Sequence, residues 1–183
     1  HYVEYEVVDI FHDDDAGQHD TTHYILKTVV GETVQDNEGR PARKMYRYSY
    51  DINSGELLDK RVWTQIIDGG RAEVVEENQR KIRLVFAITL DKEWDVNAFN
   101  PDDEEEVYYE EIHQPFSSFD STVTVEYEDF LSLIDYERKY EVYGNHVGLI
   151  KRSFKDLRIE NFDTLQVVSG TELHYELIDY GIE

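Results

Sequence analysis

Apolar side chains recur at every second position along most of this chain, and each such run stops at a cluster of Asp, Asn, Gly or Ser. Period two is the spacing of strands with one face buried and the other wet, so it points to an antiparallel β architecture and away from bundles and parallel α/β folds. The clearest run is Ile82, Leu84, Phe86, Ile88 and Leu90, which predicts a central strand. Val3, Tyr5 and Val7 alternate with Glu4 and Glu6, and the phase then shifts through Val8 and Ile10, as a bulge and a bend would make it. Further runs are Tyr46, Tyr48, Tyr50; Val123, Val125, Tyr127; and Leu173, Tyr175, Leu177. Turn chemistry falls between them at Asp36-Asn37-Glu38-Gly39, Asn53-Ser54-Gly55, Asp68-Gly69-Gly70, Asn100-Pro101-Asp102 and Gly144-Asn145. Helical spacing is confined to Phe130, Leu133 and Ile134, with Tyr136 and Tyr140 beyond, and supports at most one short helix. The expected fold is therefore mostly β: a single curved antiparallel sheet or partly closed β-barrel of about nine strands, since sheets of that width curl or split. With no repeat, linker or hinge composition, residues 1–183 read as one domain.

Charge narrows the partners. Eighteen basic against forty-one acidic side chains leave a net charge of −23, which repels phosphate backbones and anionic headgroups and argues against nucleic-acid binding. Between Lys92 and Arg138 the chain carries fifteen carboxylates and no Lys or Arg, so cations or a basic surface are the partners this field favours. The absence of cysteine excludes disulfides, thiol catalysis and thiolate metal sites. No run approaches the roughly 18 apolar residues of a membrane-spanning helix. The chain opens at His1 without an initiator Met, which reads as a mature or trimmed fragment whose export signal has been removed.

Three blocks carry a resemblance across nearly the whole chain. They are Asn37-Glu38-Gly39-Arg40-Pro41-Ala42 leading to Tyr46-Arg47-Tyr48, Tyr140 through Ile150 (YEVYGNHVGLI), and Tyr175 through Gly181 (YELIDYG). In this order they resemble an uncharacterised family of secreted lipoproteins from Bacteroidetes-type bacteria. The resemblance implies a location, a cell-envelope or extracellular protein tethered through a lipidated N-terminal Cys upstream of His1. It implies no reaction and no functional residues.

Three constellations could carry chemistry. His12, Asp13, Asp15, His19, Asp20 and His23 lie together in what reads as the loop between the first two strands, and imidazole with carboxylate is a donor set for Zn²⁺ or another divalent ion. Their spacing fits no closed metal motif, and an acidic hairpin with incidental histidines is the favoured explanation. Asp102, Asp103, Glu104 and Glu106 offer hard oxygens suited to Ca²⁺, without the spacing of an EF-hand; a solvated loop is the alternative. Trp63, Trp94, Phe99, Tyr108, Tyr109, Phe116 and Phe119 could stack on sugar faces or line the mouth of a barrel; core packing explains most of them, and Trp94 and Phe99, flanked by Asp95 and Asn97, are the pair expected at a surface site. There is no nucleophile elbow, zincin motif, P-loop or dinucleotide fingerprint, and no catalytic residue is assigned. No cofactor is expected beyond a weakly bound divalent cation. The leading expectation is a non-catalytic cell-envelope binding or scaffolding module; the alternative is a carrier of a lipid or other apolar ligand within the curved sheet, and the third is an acid-residue hydrolase.

Overall fold

A computed structural model describes residues 1–13 and 17–182, with nothing stated of the Gln18 side chain. Twelve strands account for the chain: β1 (Tyr2–Asp13), β2 (Gln18–Gln35), β3 (Pro41–Asp51), β4 (Leu57–Asp68), β5 (Arg71–Glu76), β6 (Gln79–Val85), β7 (Glu93–Asp95), β8 (Glu106–Phe116), β9 (Phe119–Leu131), β10 (Asp135–Gly144), β11 (Gly148–Glu160) and β12 (Asp163–Gly181). They form one antiparallel sheet in the order β6-β5-β4-β3-β2-β1-β12-β11-β10-β9-β8-β7. Strands adjacent in sequence pair, except β6 with β7; the first strand pairs with the last, and the sheet curls until β6 and β7 face each other. The result is an up-and-down meander nearly closed into a barrel. No helix among the described residues is long and apolar enough to cross a membrane.

Side chains and single backbone bonds draw the β6–β7 seam together in place of a strand ladder. Ile82 N–H donates to the Val96 carbonyl at 2.9 Å, and the Trp94 indole N–H to the Ile82 carbonyl at 3.1 Å. The Tyr109 hydroxyl accepts from Val85 N–H and donates to the Val85 carbonyl, each at 3.0 Å. Ile82, Leu84 and Ile88 therefore do contribute to the core, but at the seam. The strand they were expected to form at the centre of the sheet is instead the terminal one, and it stops at Val85, because the remaining residues turn away to close the barrel.

Three turns account for most of the difference between about nine strands and twelve. Glu77-Asn78 and Asn161-Phe162 are two-residue turns in which both residues take positive φ, at 49° and 66° and at 56° and 61°, the geometry that matches strand twist in a tight hairpin. Neither contains glycine, so neither announces itself. The third, at residues 132–134, joins β9 to β10 where helical spacing was expected; Phe130 and Leu131 end one strand and Tyr136 lies in the next. The bulge in β1 falls between Glu4 and Tyr5 against β12, earlier than the shift in apolar phase suggests. The 19-residue β12 bends at Gly170, where a Cβ would sit 2.2 Å from the Asp156 carbonyl oxygen, a close approach open only to glycine.

One face of this sheet is the barrel interior. Cross-strand partners share a face, and the partners Tyr109, Val125, Glu141, Arg152, Tyr175, Val7, Tyr24 and Asp51 form one row across eight strands. Two apolar clusters lie on it, one around Val96, Val107, Tyr109, Val123, Val125 and Tyr127, the other around Tyr5, Val7, Leu26 and Tyr175. Twelve strands make a wider cylinder than short aliphatic side chains can fill, so long Tyr, Trp, Arg and Glu side chains occupy the middle.

Candidate functional site

The row places Glu141 between Val125 and Arg152, fully buried in the barrel. An isolated carboxylate there would be prohibitive; four donors surround this one. Arg152 donates to it through Nε at 2.7 Å and through Nη2, Tyr127 and Tyr143 donate hydroxyls at 3.0 Å and 2.5 Å, and the Arg83 guanidinium stands 3.9 Å away. Burial raises the Glu141 pKa, and the two arginines with the Tyr143 hydroxyl outweigh it, holding the group down at about 2. Arg83 also pairs with Glu76, which Lys81 approaches at 3.5 Å. Beyond Arg152 the network reaches Tyr175, whose ring lies under the Arg152 guanidinium at 5.0 Å.

At the end of this network lies Arg47, on β3 and half-buried. Its register partners Thr28 and Arg61 put it on the concave face, and its guanidinium stacks over the Trp63 ring at 3.6 Å. The Tyr175 hydroxyl is its hydrogen-bond partner, at a long 3.4 Å. No carboxylate among the described residues comes within 4 Å of Arg47, although Glu76 attracts it from farther off; burial draws its pKa below the ordinary guanidinium value, with Arg152 adding like-charge repulsion. A cavity of about 320 Å³ opens beside it, walled by Tyr24, Leu26, Ser49, Trp63 and Tyr175. At the rim Arg61 pairs with Asp59 at 2.7 Å and Glu77 at 3.2 Å. The Tyr24 hydroxyl is pushed up to about 12 by burial and by neighbouring Tyr175.

The sequence reading missed this site because it followed the apolar phase of the strand. In Tyr46-Arg47-Tyr48-Ser49-Tyr50 the tyrosines suggested the buried face, yet Tyr46 hydrogen-bonds Glu32 at 3.0 Å and Tyr48 stacks on Tyr50, with Lys60 over Tyr46 and Tyr48, all on the convex side. The inward residues are Arg47 and Ser49. The available signal was an arginine in phase with the neighbouring strands' buried positions.

The expected sites are placed differently. His12 and Asp13 belong to β1, and His19, Asp20 and His23 to β2, so these residues are ladder positions and not a loop; Asp15 lies outside the described residues. His12 Nε2 faces Glu172 at 3.0 Å and His23 Nε2 faces Glu6 at 2.7 Å, on separate parts of the sheet. Among the described residues no group of three or more His, Asp or Glu side chains is arranged to hold a metal ion. Asp102, Asp103 and Glu104 lie in the loop before β8, which Glu106 begins; Asn97 Nδ2–H caps the Asp103 carbonyl at 2.8 Å and Asn100 Oδ1 accepts from Asp102 N–H at 2.9 Å. Glu104, Glu105 and Glu106 line a depression of about 570 Å³ with Glu93, Glu128 and Lys139. Trp94 and Phe99 do not form a pair: Trp94 packs on Tyr109 at 4.7 Å as part of the seam, while Phe99 meets the Arg71 and Arg80 guanidiniums at 4.6 Å and 4.4 Å.

Comparison with protein-family models, with curated proteins and with solved structures finds no match to this chain.

Proposed function

We propose that this protein is a non-catalytic binding module of the bacterial cell envelope, with its ligand seated in the mouth of the barrel between β2, β3, β4 and β12. The observation that carries the reading is the cavity of about 320 Å³ on the concave face, walled in part by the rings of Tyr24, Trp63 and Tyr175. The envelope location rests on the resemblance of three sequence blocks to secreted lipoproteins. A carrier of long apolar chains is less well supported, because the middle of the barrel is taken up by the Glu141, Arg152 and Arg83 network. Hydrolysis by paired acids finds little support in the two fully buried glutamates of β9 and β10: Glu126 pairs with Tyr140 and Glu141 with Val125, so the carboxylates lie on opposite faces of the sheet.

Native mass spectrometry of the purified protein, alongside a Ser49→Phe variant that fills the cavity, tests this reading. Mass lost on denaturation, from a ligand of a few hundred daltons and absent in the variant, supports it; a retained species of phospholipid size favours the carrier.

A second reading, docking of a macromolecule, is favoured by an apolar tip. Ile159 N–H donates to the Ile134 carbonyl at 2.8 Å and Phe162 N–H to the Leu133 carbonyl at 3.2 Å, bringing the β9–β10 and β11–β12 turns together. Leu131, Leu133, Ile134, Phe162 and Leu165 are all exposed there, Leu165 to 90%.

A further inference from the structure

The concave network does not balance its charges. Arg152 and Arg83 converge on Glu141, Arg83 also takes Glu76, and Arg47 is left with a tyrosine hydroxyl and a tryptophan face. A guanidinium is a planar fork of donors that matches an oxyanion in bidentate fashion, and a tyrosine oxygen at 3.4 Å satisfies little of it. Arg47 lines a cavity whose other walls are the rings of Tyr24, Trp63 and Tyr175 and the aliphatic Leu26 and Leu58, with Thr22, Ser49 and the mutually paired Asp59 and Arg61 completing it.

We propose that this cavity binds a small organic monocarboxylate, with its carboxylate on Arg47 and its flat apolar body held among Trp63, Tyr24, Leu26 and Tyr175. The inference rests on the binding-module reading and specifies its ligand. Size and charge select the class. About 320 Å³ accommodates one or two fused rings and not a long chain. A net charge of −23 opposes multiply charged anions, and a single negative charge is what the unpaired Arg47 can neutralise. Asp59 at the rim is taken by Arg61, which leaves Arg47 as the guanidinium of the cavity without a carboxylate in ion-pair contact, while Asp9 beside Tyr24 adds a further reason for the site to admit no more than one negative charge.

Isothermal titration with 2-naphthoate, its neutral isostere 2-naphthamide and inorganic phosphate separates the possibilities. The expected result is naphthoate binding about 10- to 100-fold more tightly than naphthamide, the worth of a charge-assisted contact out of water, with phosphate far weaker than naphthoate. Arg47→Gln is expected to bring naphthoate down to the level of naphthamide, and Arg47→Lys to give an intermediate affinity because it keeps the charge and loses the fork. Equal affinity for acid and amide in the wild-type protein overturns the anion assignment and leaves the cavity as a binding site. Failure of both to bind removes the cavity reading itself. Since the acid–amide comparison uses the unaltered protein, it decides the matter even where a variant folds poorly.

Discussion

Two glutamates on adjacent strands lose essentially all their exposure and reach opposite states. Glu141, at 0% exposure on the concave face, is held near pKa 2 by Arg152, Arg83 and the Tyr143 hydroxyl against the cost of burial. Glu126, at 1% on the convex face, is pushed up to about 8 by burial, with the like charge of Glu110 adding to the effect and Arg138 opposing it. Burial is common to both; what differs is the number and sign of the neighbours that meet the carboxylate. Arg138 divides its charge among Glu126, Glu110 and Asp129, whereas Arg152 is aimed at Glu141 through two of its nitrogens. A buried acid is thus either a structural centre or a proton carrier according to how completely it is satisfied.

The comparison is most severely tested at Glu141. Glu141→Gln removes the only carboxylate among the described residues that pairs with Arg152, leaving that guanidinium buried and uncompensated, and is expected to cost about 3–5 kcal/mol in urea unfolding. Tyr143→Phe removes a single donor to the same carboxylate and is expected to cost about 1.5–3 kcal/mol. Glu126→Gln, by contrast, replaces a group that is already protonated at neutral pH with a neutral one of the same shape, so its cost at pH 7 is expected to stay near or below 1 kcal/mol. A larger loss would mean that Glu126 is ionised against Arg138 and would erase the distinction.

The pH dependence of unfolding sharpens it. Folding raises the Glu126 pKa from the ordinary 4.5 to about 8, so the folded chain holds a proton across that window that the unfolded chain releases. Its contribution is fully present below 4.5 and is lost as pH rises through 8. Glu141 behaves oppositely: its pKa falls from 4.5 to about 2, so its contribution is present above 4.5 and is lost as pH falls towards 2. Denaturation midpoints are expected to decline from pH 5 to pH 8 in the wild type, and to decline less steeply in Glu126→Gln while the acid limb is unchanged.

The architecture was largely legible because the period of two survives wherever a wall residue faces an apolar neighbour. Val123, Val125 and Tyr127, and likewise Leu173, Tyr175 and Leu177, pack inward as their alternation indicates. Legibility failed where the barrel interior is polar. Arg47 and Glu141 occupy inward positions that a hydrophobic pattern assigns to solvent, since only their partners on distant strands make their burial tolerable. It failed also at Leu133 and Ile134, whose spacing suggests a helix but whose side chains are exposed at a hairpin tip, 52% and 47% accessible. The candidate site depends on residues of β2, β3, β4 and β12, and no local run of sequence brings Trp63 beside Tyr175.

Amide chemical-shift mapping of the isotopically labelled protein during titration with 2-naphthoate tests most directly whether the mouth of the barrel is the binding site. The account predicts saturable shifts centred on residues 22–26, 47–49, 58–63 and 175, with the apolar tip at residues 131–135 and 161–165 unmoved. Shifts confined to that tip, or none at saturating concentration, would contradict it.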